Sequence, residues 1–154
     1  MTARIRAIFV VLAVMAAPFA CAQEPNRNEF DIADHAGKVV VLDFWASWCG
    51  PCRRSFPWLN EMHARYESEG LLIIGVNLDA YREDAAEFLE EVPADFRIYF
   101  DTDGVLAIKY GVQAMPSSFV IGRDGELKAS HRGFKVKQRA QYEAILEEAL
   151  GEKH

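Results

Sequence analysis

VVVLDFWASWCGPC (residues 39–52) is the stretch that decides how this 154-residue chain folds. Its apolar, β-branched start is typical of a buried strand, Gly50-Pro51 predicts a tight turn, and residues 53–66 have helical periodicity. Cys49 is therefore predicted at a helix N-terminus, where unpaired N–H groups and the helix dipole favour the nucleophilic thiolate. Cys52 follows about one helical turn later, where it is close enough to form a disulfide and is expected to be more buried.

A C-x-x-C pair can serve redox chemistry, a zinc site or a purely structural disulfide, and the rest of the sequence favours redox chemistry. Zinc would need further Cys or His ligands at a matching spacing. The remaining candidates occur singly along the chain: Cys21, His35, His63, His131 and His154. We therefore predict a redox-active pair with no metal and no cofactor, and we expect His131 to be a surface residue of a strand.

The same stretch resembles the active-site strand and turn of the thioredoxin superfamily, including the acidic residue Asp43 six positions before the first cysteine. Pro57 matches the proline that bends the following helix in that family. Met115-Pro116, ahead of an apolar strand, resembles the family's cis-proline. The resemblance covers most of the chain from about Phe30 onward, and it implies a thioredoxin-like α/β fold with a central mixed sheet flanked by helices.

Further apolar segments predict the remaining elements. Residues 71–77 are almost continuously apolar, which is typical of a strand covered on both faces. Residues 85–92 have helical spacing and residues 96–100 alternate, so a helix and a strand are predicted before the cis-proline region. Compact thioredoxins lack this inserted pair, so the chain resembles the exported TlpA-like branch, thiol:disulfide oxidoreductases tied to cytochrome and metalloprotein maturation. Asp124-Gly125 then predicts a hairpin, and residues 142–150 an amphipathic terminal helix.

The first 22 residues have the layout of a secretory signal peptide, in which two arginines precede an apolar run and small residues follow it. The run is too short for a comfortable membrane span, so we expect export, with cleavage before Gln23 and a periplasmic location. The alternative is a lipoprotein anchored through Cys21, against which Pro18 argues because such sites usually carry Leu there. The predicted division of the chain is signal peptide 1–22, linker 23–29 and one thioredoxin-like domain 30–151.

The sequence is acidic. Its net charge is −6, and because the leader holds two of the 17 basic residues and none of the 23 acidic ones, the charge without it is −8. Such a balance disfavours nucleic acid and anionic membrane surfaces as partners. We expect a monomer whose partners are disulfide-containing exported proteins.

The predicted placements indicate a two-step thiol–disulfide exchange. Cys49 attacks a partner disulfide, and Cys52 resolves the mixed disulfide by attacking Cys49. Asp43 is the candidate acceptor of the Cys52 proton, because burial in an apolar strand raises the pKa of a carboxyl group towards the useful range.

Substrate binding is predicted on a docking rim formed by two segments. One is the active-site turn with Trp48, Gly50 and Pro51. The other is Met115 with Pro116, where the Met115 backbone could pair with an extended partner segment by strand addition.

The direction of electron flow is predicted from Gly50-Pro51, the dipeptide between the cysteines. It matches thioredoxin, which lies at the reducing end of the superfamily at about −270 mV, so we predict a disulfide reductase. The resemblance implies re-reduction by a membrane electron-donor protein. The alternatives are a disulfide oxidase or isomerase, a copper or haem-assembly binding module, which lacks an extra Cys or His beside the pair, and a peroxidase, which needs a peroxidatic cysteine in a motif of its own.

Overall fold

A five-stranded mixed sheet lies at the centre of the molecule, seen in a computed structural model that describes residues 30–152. The predicted signal peptide 1–22 and linker 23–29, with the proposed cleavage or lipidation at residues 20–23, lie outside the described residues. Within residues 30–152, none of the helices has the length and apolar character needed to cross a bilayer.

The strands and α-helices follow one another in a largely alternating order. They are β1 (Val39–Trp45), α1 (Cys52–Tyr66), β2 (Leu71–Asn77), α2 (Arg82–Glu91), β3 (Arg97–Phe100), α3 (Val105–Lys109), β4 (Ser117–Ile121), β5 (Leu127–Arg132) and α4 (Arg139–Gly151). Short 3-10 helices occupy Ile32–His35, Glu67–Glu69 and Val136–Gln138.

The strands lie in the order β3-β2-β1-β4-β5. β1, β2 and β3 are parallel, whereas β4 is antiparallel to both β1 and β5. The predicted thioredoxin-like α/β fold with a mixed sheet is therefore confirmed. The helix α2 and the strand β3 are the predicted additional pair, and they precede Pro116 as expected.

The central strand β1 is buried along its whole length, as its predominantly apolar sequence predicts. Because successive side chains of a strand point to opposite faces, β1 contributes to two cores. The core beneath α1, α2 and α4 receives Val39, Val41 and Trp45, and the core beneath α3 receives Val40, Leu42 and Phe44. By the same alternation, Asp43 lies on the face covered by α1.

Helix α1 begins directly after the active-site turn and packs on β1 through an aromatic cluster. The Phe56 ring lies 5.0 Å from Trp45 and 5.2 Å from Phe88 of α2 between centroids, in edge-to-face geometry. Pro57 stands inside α1, where its missing N–H removes one backbone hydrogen bond. The helix nevertheless continues to Tyr66, because the side chains along its inner face are buried in the core.

Arg123, in the turn between β4 and β5, ties together the end of the sheet opposite the cysteines. Its guanidinium donates to the carbonyl oxygens of Gly37 at 2.8 Å, Glu69 at 2.7 Å and Leu150 at 3.3 Å. The Gly37 N–H donates in return to the Arg123 carbonyl at 2.9 Å. One side chain thus joins the start of β1, the loop before β2, the hairpin and the end of α4.

The prediction that His131 is a surface residue is wrong. Its ring is half-buried and stacks on Tyr142 of α4, with centroids 4.2 Å apart and planes 10° from parallel. The reason is that α4 covers the face of β5 on which His131 lies. Burial lowers the pKa of this imidazole below 6.5, which favours the neutral form near pH 7.

Candidate redox site

Cys49 and Cys52 form a disulfide with their Cα atoms 5.3 Å apart. The Cys52 N–H donates to the Cys49 carbonyl at 3.0 Å, which closes the turn. Cys49 is 4% exposed and Cys52 is fully buried, so Cys52 is the more buried of the two cysteines, as predicted. One detail differs from the prediction, because α1 begins at Cys52 with Pro51 as its N-cap, and Cys49 therefore lies in the turn just before the helix.

The backbone ahead of the cysteines is held by a buried polar network that the sequence reasoning missed. The Asp79 carboxylate, only 3% exposed, accepts hydrogen bonds from the Ser47 N–H and hydroxyl, both at 2.9 Å. It also accepts one from the Asn77 side-chain amide at 2.7 Å. The available signal was two polar residues, Asn77 and Asp79, at the carboxyl end of a buried strand that neighbours β1.

Asp43 is almost completely buried, at 1% exposure, on the sheet face that α1 covers. The Ser118 hydroxyl on β4 donates to its Oδ1, whereas Oδ2 has no hydrogen-bond partner among the described residues. Burial raises the pKa of Asp43 from 3.8 to about 7, and the Ser118 hydrogen bond acts in the opposite direction. The carboxyl group is therefore divided between its protonated and ionised forms near neutral pH.

The Met115–Pro116 peptide bond is cis, as predicted. It leads into β4, and because β4 is antiparallel to β1, its first residue Ser117 pairs with Phe44 near the end of β1. Met115 is half-buried and packs against the hydrophobic cluster that contains both cysteines. The Pro116 carbonyl accepts a hydrogen bond at 2.7 Å from the Gly133 N–H, just beyond β5. The chain thus brings the Met115-Pro116 segment to the same end of the sheet as the disulfide.

Trp48 carries the large exposed side chain of the turn. Its side chain is 73% exposed, whereas Trp45 and Trp58 belong to the core, as expected for packing residues. In the same turn Gly50 is exposed and Pro51 is half-buried. A cleft of about 230 Å³ adjoins Trp48 between the turn and α2; it is lined by Ser47, Trp48, Arg53, Asp84, Glu87, Phe88 and Glu91.

The site contains a disulfide, a buried carboxyl group and an exposed rim. In residues 30–152 there is no group of three or more His, Cys, Asp or Glu side chains placed to hold a metal ion. The groups that can exchange electrons are the two sulfur atoms, and Asp43 is a buried carboxyl group in the central strand that can exchange a proton around pH 7.

The chain is similar to known proteins over most of its length. The family model described as Redoxin matches residues 14–146. The thiol-disulfide oxidoreductase ResA of Bacillus thuringiensis subsp. konkukian is 30% identical over 112 residues, which cover 73% of this chain and 65% of ResA. The chain thus spans slightly less than two thirds of that relative's length.

Two solved structures extend the comparison. A Chlorobium tepidum protein described as a DsbE-type thiol:disulfide interchange protein is 48% identical, with a TM-score of 0.76, over 78% of this chain and 85% of that chain. StoA from Bacillus subtilis is 24% identical with a TM-score of 0.63 over 72% of this chain and 84% of that chain, a likeness that shows the fold alone. With the Redoxin match, the C-x-x-C turn and the mixed sheet, the chain belongs to the redoxin family and, within the thioredoxin superfamily, to its TlpA-like branch.

Proposed function

We propose that this chain is an exported thiol:disulfide oxidoreductase that acts as a disulfide reductase through Cys49 and Cys52. The observation that carries the proposal is the Cys49–Cys52 disulfide itself, in which Cys49 is slightly exposed and Cys52 is fully buried. The names of ResA and of the DsbE-type protein support the general activity. They leave the partner and the direction of electron flow to experiment.

The reaction transfers two electrons from the dithiol to the partner disulfide. The Cys49 thiolate attacks one partner sulfur, the partner S–S bond breaks, and the first partner thiolate leaves. Cys52 gives its proton to Asp43 and attacks the Cys49 sulfur, so the mixed disulfide breaks and the second partner thiolate leaves. The partner is now a dithiol, and Cys49–Cys52 is a disulfide.

Asp43 suits the role of proton acceptor because of where it lies and how it is held. It shares the α1 face of the sheet with the cluster that contains Cys52, and water has almost no access to it. Its pKa of about 7 is close to the working pH, which favours general acid–base catalysis.

The docking rim supports a partner that binds as an extended segment. Trp48 and Gly50 present exposed surface on one side of the disulfide, and the start of β4 brings Met115 and Pro116 to the same end of the sheet. We assign Trp48, Gly50, Pro51, Met115 and Pro116 to substrate binding. The backbone at Met115 would pair with the partner by strand addition.

The proposed setting is the periplasm, which the chain reaches through the leader 1–22 as a monomer. The substrates would be disulfide-containing exported proteins, including those of cytochrome c or metalloprotein maturation. A membrane electron-donor protein would reduce the Cys49–Cys52 disulfide again after each turnover.

Trapping tests the cysteine roles. The Cys52→Ser variant lacks the resolving thiol, so it should accumulate mixed disulfides with exported proteins, visible on non-reducing gels and released by dithiothreitol. Cys49→Ser should accumulate far fewer mixed disulfides. The double variant, which carries both Cys49→Ser and Cys52→Ser, shows any adducts that form on Cys21. Trapping by Cys49→Ser as strong as that by Cys52→Ser would reverse the assignment.

Equilibration with glutathione buffers tests the direction. A reductase of this type should have a potential near that of thioredoxin, about −270 mV. A value near the about −120 mV of the strongly oxidising member of the superfamily would instead identify a disulfide oxidase.

A further inference from the structure

Within the described residues, Ser118 is the side chain that hydrogen-bonds to Asp43. The two residues pair directly in the β1–β4 register, so their side chains project from the same face of the sheet. Ser118 is 4% exposed, and its hydroxyl donates to Asp43 Oδ1. The position lies two residues beyond Pro116, in a strand whose other inward side chains are mostly apolar.

We infer that Ser118 is the positioning residue of the resolving step: its hydroxyl holds Asp43 Oδ1 and leaves Oδ2 as the oxygen that receives the Cys52 proton. This inference rests on the proposed function, because Ser118 is argued to position Asp43 for the acid–base role that the proposed function gives it.

The first step of the argument is the asymmetry of the carboxyl group. Oδ1 is occupied by the Ser118 hydroxyl, whereas Oδ2 is buried and has no partner in the described part of the chain. A hydroxyl that donates to a carboxylate stabilises the ionised form, and an oxygen without a donor is the more basic of the two. A proton arriving at Asp43 therefore binds Oδ2.

The second step is the absence of another group, in residues 30–152, that could do what Ser118 does. β2 places Gly75 opposite Asp43, and Cys52, the first residue of α1, belongs to the hydrophobic cluster on the same face of the sheet; it is neutral as a disulfide and titratable when reduced. Beyond Ser118, β5 presents His131, whose pKa is lowered by burial and whose Nδ1 has no hydrogen-bond partner among these residues, and α4 presents Tyr142.

His131, whose pKa is lowered by burial, is mainly neutral at pH 7, and the two cysteines are joined as a disulfide in the oxidised protein. The balance between protonated and ionised Asp43 is thus set by burial on one side and by Ser118 on the other. Without the hydroxyl, burial would act alone, and the carboxyl group would be mostly protonated at neutral pH. A protonated Asp43 cannot accept the proton of Cys52.

The neighbouring Ser117 provides a matched control. It is also buried, at 3% exposure, but its hydroxyl donates to the Ala114 carbonyl at 2.7 Å, and its side chain projects from the opposite face of β4. Ser117→Ala and Ser118→Ala therefore remove the same group from adjacent positions of one strand. Only the second removes it from Asp43.

The test measures the Asp43 titration and the rate of resolution separately, in the full chain. Carbon-13 NMR of the oxidised protein follows the Asp43 carboxyl carbon, assigned with Asp43→Asn. Removing a hydrogen bond to a charged group should lower the acid dissociation constant of Asp43 about tenfold or more in Ser118→Ala. In Ser117→Ala it should stay at the wild-type value.

Rapid acid quench after mixing the reduced protein with a disulfide-containing peptide follows the mixed disulfide. At pH 7, Ser118→Ala should resolve it roughly fivefold more slowly than wild type and should recover above about pH 8, while its formation by Cys49 is unchanged. The isosteric pair Ser118→Thr and Ser118→Val repeats the comparison in case alanine loosens the strand. Thr keeps the hydroxyl and should resemble wild type, whereas Val should resemble Ala.

An Asp43 titration that is the same in Ser118→Ala as in wild type, or that moves equally in Ser117→Ala, overturns the inference. A moved titration with an unmoved rate profile also overturns it, because Ser118 would then hold Asp43 without affecting resolution. The Asp43→Asn rate separates the two failures: resolution at the wild-type rate removes Asp43 from the mechanism, and slow resolution keeps Asp43 and rejects only Ser118.

Discussion

Substituting Asp43 by asparagine should make the stability of the protein less dependent on pH. Burial raises the pKa of Asp43 from 3.8 to about 7, so the native state retains a proton that the unfolded state releases. Below pH 3.8 both states are protonated and no penalty exists. Between pH 3.8 and 7 the wild type loses stability as the pH rises, and above pH 7 the full penalty is present.

The size of the effect follows from the width of this interval. About three pH units at 1.36 kcal/mol each give a penalty of about 4 kcal/mol above pH 7. Asparagine does not ionise, so the variant lacks this contribution. An unpaired amide group adds a cost of about 1–3 kcal/mol, but that cost is the same at every pH and leaves the slope unchanged.

Urea unfolding of the oxidised protein at a series of pH values from 4 to 8.5 measures the difference. The free energy of unfolding of Asp43→Asn, relative to wild type, should rise by about 4 kcal/mol between pH 4 and pH 8 and then level off. Asp103→Asn, which alters an exposed carboxyl group, should run parallel to wild type. If the free energy of unfolding of Asp43→Asn also ran parallel to that of wild type over this pH range, the argument that ionising the buried Asp43 carboxyl group costs stability would be refuted.

Three other outcomes are expected. Limiting iodoacetamide should alkylate reduced Cys49 ahead of Cys52, which is fully buried, and peptide mapping that finds Cys52 modified first would contradict the assigned roles. Asp79→Ala should lower the free energy of unfolding by about 2–4 kcal/mol, because it leaves buried donors without an acceptor, whereas Glu91→Ala breaks an exposed ion pair and should cost less than about 1 kcal/mol. Gly75→Ala should cost about 1–3 kcal/mol in the same unfolding assay, since its Cβ would lie 3.0–3.1 Å from three core side chains; an unchanged midpoint would mean that the core can expand there.

The parts of the fold that were predictable are those with strong local signals. β1 and β2 are predominantly apolar runs of seven residues, a pattern typical of strands that are covered on both faces. The helix α2 was predicted from apolar residues at helical spacing, although it begins earlier than the apolar pattern does, at Arg82, because its first turn is polar and exposed. The resemblance to thioredoxins, rather than any local pattern, predicted the cis bond at Pro116.

The parts that were not predictable depend on which strands become neighbours. Asp79 holds Ser47, which is 32 residues away in sequence, and Ser118 holds Asp43 across 75 residues. Nothing in the local sequence distinguishes Ser118 from Ser117, because only the register of β4 against β1 decides which hydroxyl meets the carboxyl group. His131 was misjudged for the same reason, since its burial comes from α4 and not from its own strand.

The cluster around Arg123 has a practical consequence for attaching this protein to a surface. The hairpin turn at residues 122–126 and the last residues of α4 meet there, at the end of the sheet opposite the disulfide. A linker joined to Gly125 or to Gly151, both exposed, would orient every immobilised molecule with Cys49 towards the solution. An electrode or bead prepared in this way would keep its whole layer of dithiols open to large protein substrates.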